Sequence, residues 1–179
     1  AGKPLLWVQD RLSGLETGRP HGAGLKRFGV DPDRLVLVCA RDAGDVLWTM
    51  EEGLKCASLG GVIGEVWGTP RVLDFTASKR LALRADRTGI PVTLLRFCAP
   101  EDLSAARRRW RIASLPSAPH PHDPRAPGRP RWRAKLFRAR DRSPGVWEAE
   151  YDGAAHRLHL VAPLPDPALA TPLRRAGGG

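Results

Sequence analysis

Three short apolar runs separated by two amphipathic segments of helical length predict an α/β fold with a mostly parallel sheet. The runs are Leu35–Cys39, Val62–Val66 and Val92–Phe97, each nearly continuous in apolar residues, as strands covered by helices on both faces tend to be. Strand and helix alternating through residues 35–97 is the pattern of βαβ units, whose strands lie parallel. Open sheets of this kind hold ligands beyond the carboxyl ends of their strands, so functional groups are sought there.

Taken in order, Leu5-Leu6-Trp7-Val8 reads as a further strand and His21–Phe28 as a short helix closed by Gly29. Asp42 and Asp45 offer an N-cap and negative charge to a helix in which Val46, Met50, Leu54 and Ala57 share a face, running until Gly60-Gly61. Glu51 and Glu52 on that helix read as solvent-facing or paired with Lys55, not as catalytic groups. Asp74 caps the next helix, which buries Leu73, Ala77, Leu81 and Ala85, turns Lys79, Arg80, Arg84 and Arg87 outward, and ends at Gly89 before Pro91.

Beyond residue 100 the character changes. Arg109–Ala113 reads as a fourth short strand, and residues 114–130, with six prolines, as a mobile or extended loop. Arg131–Arg140 and Val146–Val161 are β-like, the second split by Asp152-Gly153 into a hairpin that extends the main sheet in antiparallel fashion. Residues 162–179 have no core pattern and read as a disordered tail. The expected organisation is therefore one core over 1–161 and a tail over 162–179.

At 179 residues the chain is long enough to bury on the order of 70% of its unfolded surface without staples. Cys39, Cys56 and Cys98 are odd in number and widely spaced, which favours buried, reduced thiols and a cytoplasmic setting. No run approaches the roughly 18–20 apolar residues of a membrane span, so the expectation is a soluble protein without a membrane partner. The chain opens at Ala1 without Met and passes directly into a strand, which reads as a start inside a domain. Gly2-Lys3 is no P-loop, because Pro4 removes an amide where phosphate would be held. His120, His122 and Asp123, and His156 with His159, lack the setting of a metal site.

Charge is concentrated. The chain carries +10, and residues 101–142 hold 12 Lys plus Arg against 4 Asp plus Glu, a net of +8. Such density is a polyanion footprint, although 24 Arg against 5 Lys also fits a compositional bias. In Arg131–Arg140 strict alternation sets Arg131, Arg133, Lys135 and Phe137 on one face and Trp132, Ala134, Leu136 and Arg138 on the other. The DNA-binding candidates are Arg125, Arg129, Arg131, Arg133, Lys135, Arg138 and Arg140, with Trp110 as a base-stacking group. The competing reading is a basic edge strand that resists edge-to-edge pairing.

Leu6-Trp7-Val8, Lys26–Asp31, Leu47–Leu54, Val62–Glu65 and Asp74–Leu81, followed by Arg109-Trp110-Arg111, Pro130-Arg131-Trp132 and Leu136–Arg140, together resemble the ImuA family across residues 5–160. The resemblance implies a RecA-like accessory protein of the bacterial error-prone translesion mutasome, acting in the SOS response to DNA damage, cytoplasmic and nucleoid-associated. It implies as partners an ImuB-type Y-family-like subunit, an error-prone replicative-type polymerase, RecA and single-stranded DNA. On this likeness the fold is a RecA-like sheet whose P-loop strand would lie before residue 1. Glu65 stands at the Walker B position, and the strand ending Gln9-Asp10-Arg11 lacks the water-activating Glu. Phosphoryl transfer needs phosphate-cradling amides, a Lys and metal-holding groups, so the chain is expected to be non-catalytic and to carry no cofactor, with ATP and Mg²⁺ reserved for a longer parent. The alternatives are a RecA-type ATPase cut before its P-loop and a SulA-like division inhibitor.

Overall fold

The computed structural model describes residues 2–164, with side chains as far as residue 160. Where the sequence suggests one core over 1–161, the chain divides into two compact units, Ala1–Ala106 and Arg107–Gly179.

The first unit is the α/β part. Strands β1 (Leu5–Asp10), β2 (Leu35–Ala40), β3 (Gly61–Trp67) and β4 (Val92–Phe97) form a wholly parallel sheet in the order β2-β1-β3-β4. Between them run helices α1 (Arg11–Glu16), α2 (Gly22–Arg27), α3 (Ala43–Gly53) and α4 (Phe75–Thr88). The register pairs Val8 with Val38 and Gly64, and Gln9 with Cys39 and Glu65. The two faces of the sheet therefore differ. Leu6, Val8, Val62 and Val66 join Val46, Leu47, Met50 and Leu54 of α3 and its cap, and Ala77 and Leu81 of α4, in one buried core. Trp7, Gln9, Ile63 and Glu65 point to the other side.

Local chemistry explains the boundaries. Asp42 caps α3 by accepting from the Asp45 amide at 3.0 Å, and Asp74 caps α4 from the Ala77 amide at 2.7 Å. Gly89 closes α4 at φ +70°, a conformation that favours glycine. Helix α3 ends at Gly53, short of Gly60-Gly61. A Cβ on Gly53 would lie 2.4 Å from Leu6 Cδ2, so the helix leans directly on the sheet, and the chain then turns through 3₁₀-type bonds at Lys55 and Cys56. Glu51 is held by Arg80 at 3.0 Å and Arg84 at 3.2 Å, tying α3 to α4, while Lys55 pairs with Glu52 rather than with Glu51.

The cysteines depart from expectation: Cys39, Cys56 and Cys98 are all exposed and free. Cys39 lies on the edge strand β2, Cys98 directly follows the edge strand β4, and Cys56 sits in the turn after α3.

The second unit is a separate antiparallel sheet, not a hairpin added to the first. Its strands β5 (Arg108–Leu115), β6 (Arg131–Ala139), β7 (Gly145–Asp152) and β8 (Arg157–Leu164) follow one another in the order β5-β6-β7-β8. The segment read as a fourth short strand is β5, which pairs with β6. The proline-rich connection from β5 to β6 is cinched at its neck: the Ala118 amide donates to the Arg129 carbonyl and the Gly128 amide to the Ala118 carbonyl, each at 3.0 Å. Residues 162–164 of the expected tail belong to β8, and residues 165–179 lie outside the described residues. No helix among the described residues is long and apolar enough to cross a membrane.

Candidate functional site

The carboxyl ends of β1 and β3 gather buried polar groups. Gln9, Asp10, Ser13 and Glu65 are all less than a tenth exposed. Asp10 caps α1 by accepting from the Ser13 amide at 2.7 Å, and the Gln9 amide donates to the Gly18 carbonyl at 2.8 Å. Glu65 is only 3% exposed and both of its oxygens are engaged: Trp7 Nε1 donates to Oε2 at 3.0 Å and Thr17 Oγ1 to Oε1 at 2.8 Å. Thr17 Oγ1 also lies 2.9 Å from the Ser13 carbonyl. A hydroxyl has one proton, and the charged carboxylate is the stronger acceptor.

Glu65 therefore works as a strut. It joins the middle of β1, its own strand and the turn after α1. A hydrated Mg²⁺ needs open oxygen positions beside substrate phosphates, and Glu65 as placed does not fit that role. Of the hydrogen-bonding groups around it, Trp7 reads in the sequence as an ordinary strand residue and Thr17 as loop. Only the period of two in β1 sets Trp7 and Gln9 on the Glu65 side, and that requires the strand pairing to be known.

The basic segment lies in the second sheet, and its two faces are chemically distinct. Directly opposed residues of antiparallel strands share a face. One face carries Trp110 and Ile112 of β5, Trp132, Ala134 and Leu136 of β6, Trp147, Ala149 and Tyr151 of β7, and Leu158 and Leu160 of β8. Leu136 and Ala149 are buried within it, and Trp110 packs against Trp147 with ring centroids 5.7 Å apart. The other face carries Arg111, Arg131, Arg133 and Lys135 together with Val146, Glu148, Glu150 and Asp152. Trp110 thus points away from the basic residues with which the sequence grouped it.

The acids of β7 divide the cationic candidates. Arg131 pairs with Glu148, and Arg129 reaches Glu150 and Asp152, both at 3.2 Å. The Asp152 carboxyl is held below its usual range by the amides of Ala155 and Ala154, with Arg129 and His159 adding to the effect. Asp141 is likewise lowered by its hydrogen-bonded partner Arg108. Arg133 and Arg138 are exposed, Lys135 is half-buried, Arg125 sits in the proline-rich connection, and Arg140 follows β6 with its amide bonded to the Arg107 carbonyl at 3.1 Å. Acids at every second position of Glu148-Ala149-Glu150-Tyr151-Asp152 were visible in the sequence as a signal that part of the basic strand would be neutralised. Among the described residues no group of three or more His, Cys, Asp or Glu is placed to hold a metal.

Fold and site define an α/β protein with an internally tied strand-end carboxylate, joined to a strongly basic antiparallel sheet. No family model matches the chain. It is 35% identical over 178 aligned residues to Protein ImuA of Caulobacter vibrioides strain NA1000 / CB15N, covering 92% of this chain and 68% of that protein. The match to Protein ImuA of strain ATCC 19089 / CIP 103742 / CB 15 has the same identity and coverage. The chain belongs to the ImuA family.

Proposed function

We propose that this chain is a non-catalytic, RecA-like accessory protein of error-prone translesion DNA synthesis, working beside an ImuB-type subunit and an error-prone replicative-type polymerase. Family membership supports the setting. The observation that carries the non-catalytic part is Glu65. The carboxylate at the Walker B position has both oxygens committed to Trp7 and Thr17, where an ATPase needs it free to organise metal and water. The residues that turn strand ends into a phosphotransfer centre in other α/β proteins here hold the sheet to its first helix.

The reading is tested by mixing the purified chain with the ImuB-type subunit from the same bacterium and following the pair by size-exclusion chromatography. Co-elution that survives Glu65→Gln supports an accessory role independent of nucleotide chemistry. Failure to associate overturns the scaffold part. DNA-stimulated phosphate release, abolished by Glu65→Gln in a folded variant, overturns the non-catalytic part.

A further inference from the structure

The four edge strands of the two sheets differ in how they are protected. An open edge offers unpaired N–H and C=O groups to any extended chain, and charges, prolines and bulges are what keep such edges apart. β5 carries Arg108, Arg109 and Arg111 and an irregularity between Arg109 and Trp110, β8 carries Arg157 and Pro163, and β4 carries Arg96 and is led by Pro91. β2 has none of these. Leu35-Val36-Leu37-Val38-Cys39-Ala40 is wholly apolar, ends the parallel sheet, and pairs with β1 in unbroken register. Val36 is 50% exposed and Cys39 is exposed, so the flank beyond β2 is open.

This edge is complementary to a copy of itself. A two-fold axis perpendicular to the sheet brings two β2 strands together antiparallel and leaves each residue on the same face as its copy. Directly opposed residues of antiparallel strands share a face, so the register must be centred on a residue, and centres on Leu37 or Val38 keep most of the strand paired. A centre on Leu37 sets Val36 against Val38 of the copy, Leu35 against Cys39 and Leu37 against itself, so every opposed pair is apolar. Just beyond the strand ends it sets Asp33 of each chain beside Arg41 of the other. Asp33 is exposed, and among the described residues nothing engages its carboxylate. The Arg41 side chain is 86% exposed and spends Nε and Nη2 on Asp45, which leaves Nη1 for a second carboxylate. A centre on Val38 would instead call on Arg34, held by Asp31, and on Asp42, whose carboxylate caps α3.

We propose that β2 is a dimerisation edge: a second copy of this chain adds its own β2 in antiparallel fashion about a two-fold axis at Leu37, joining the two parallel sheets into one. Such a contact is isologous, so it closes on itself and consumes the open edge instead of propagating it. The backbone ladder and the apolar pairs supply affinity. The two Asp33–Arg41 pairs set the register, because a shift to the next allowed one removes both. The proposal goes beyond the accessory reading and does not depend on it, since neither nucleotide, DNA nor the ImuB-type subunit takes part in the contact.

The test is light scattering on size-exclusion chromatography of the purified chain over a wide range of concentration. Wild type should pass from monomer to dimer and no further. Val36→Lys puts a charge on the edge and should abolish the dimer while keeping the wild-type thermal midpoint, measured where both proteins are monomeric, because Val36 is already half exposed. Asp33→Arg turns both ion pairs into repulsions and should raise the dimer dissociation constant by about tenfold. Adding Arg41→Glu should restore most of the affinity, a rescue that damage confined to one chain would not show. With Cys39, Cys56 and Cys98 replaced by Ser, Leu37→Cys should form an intermolecular disulfide on mild oxidation, because opposed Cα atoms lie about 4.5–5.5 Å apart. Leu35→Cys, about 13 Å from its copy in this register, should not. A monomer at every concentration, assembly beyond the dimer, a dimer that withstands Val36→Lys, or cross-linking at residue 35 in place of 37 overturns the proposal.

Discussion

Replacing Glu65 with Gln separates a structural carboxylate from a catalytic one. The change keeps shape and one carbonyl oxygen, but it substitutes an NH₂ donor for the second acceptor. Trp7 Nε1 and Thr17 Oγ1 both donate to Glu65; with the Gln carbonyl kept toward Trp7, the new NH₂ donates to Thr17 Oγ1, whose proton turns to the Ser13 carbonyl 2.9 Å away, so two bonds to a charged acceptor become neutral ones in a site where Glu65 is 3% exposed. A hydrogen bond to a charged group contributes about 1.5–3 kcal/mol and a neutral one about 0.5–1.5 kcal/mol, a difference of about 1 kcal/mol for each of the two bonds. A loss of about 2 kcal/mol follows, which for a unit of this size lowers the melting temperature by roughly 8 °C. Thr17→Val removes one of the same bonds, so the two changes should be less than additive in a double-mutant cycle. Urea denaturation followed by tryptophan fluorescence measures both. Glu65→Gln within about 0.5 kcal/mol of wild type, the usual range for changes at an indifferent position, would refute the strut.

Gly64 faces Met50 so closely that a Cβ would lie 2.0 Å from Sδ and 3.2 Å from Leu94 Cδ1. Gly64→Ala should therefore destabilise the first unit by about 1–3 kcal/mol through overpacking, measured by the same denaturation, and a stability equal to wild type would contradict the packing described. The Asp152 carboxyl is lowered in the folded state, so its contribution is present above the ordinary carboxylate range and is lost as pH falls through the folded value, below about pH 4. Asp152→Asn should make the second unit less sensitive to acid across that window, and an unchanged acid limb would count against the contacts of Asp152 with Ala154, Ala155 and Arg129.

Local rules carried the α/β part well. Capping at Asp42 and Asp74 and the stop at Gly89 are encoded within a few residues, and the strand runs stand out because a central parallel strand such as β3 buries both faces. Helix α1 was illegible because its apolar residues Leu12 and Leu15 are 47% and 71% exposed and leave no amphipathic pattern. The second sheet was misplaced because a strand such as Arg109–Ala113 does not announce its partner. Only long-range pairing shows that β5 meets β6 across the proline-rich connection. The same limit governed the candidate sites. The basic candidates were legible as composition, but which of them stand across from the acids of β7 depends on the register of β6 and β7. Glu65 was visible at a strand end, while its donors Trp7 and Thr17 lie 58 and 48 residues away in the chain.

On the proposed function, the protein assists damage-induced mutagenesis without phosphotransfer chemistry of its own. The most direct measurement is the frequency of ultraviolet-induced mutation in the host bacterium with the gene intact, deleted, or carrying Glu65→Gln, with protein levels matched by immunoblot. Deletion should return induced mutation to the spontaneous level, and Glu65→Gln, at equal abundance, should sustain it. Induced mutation that persists in the deletion strain, or that is lost in Glu65→Gln despite wild-type abundance, would contradict it.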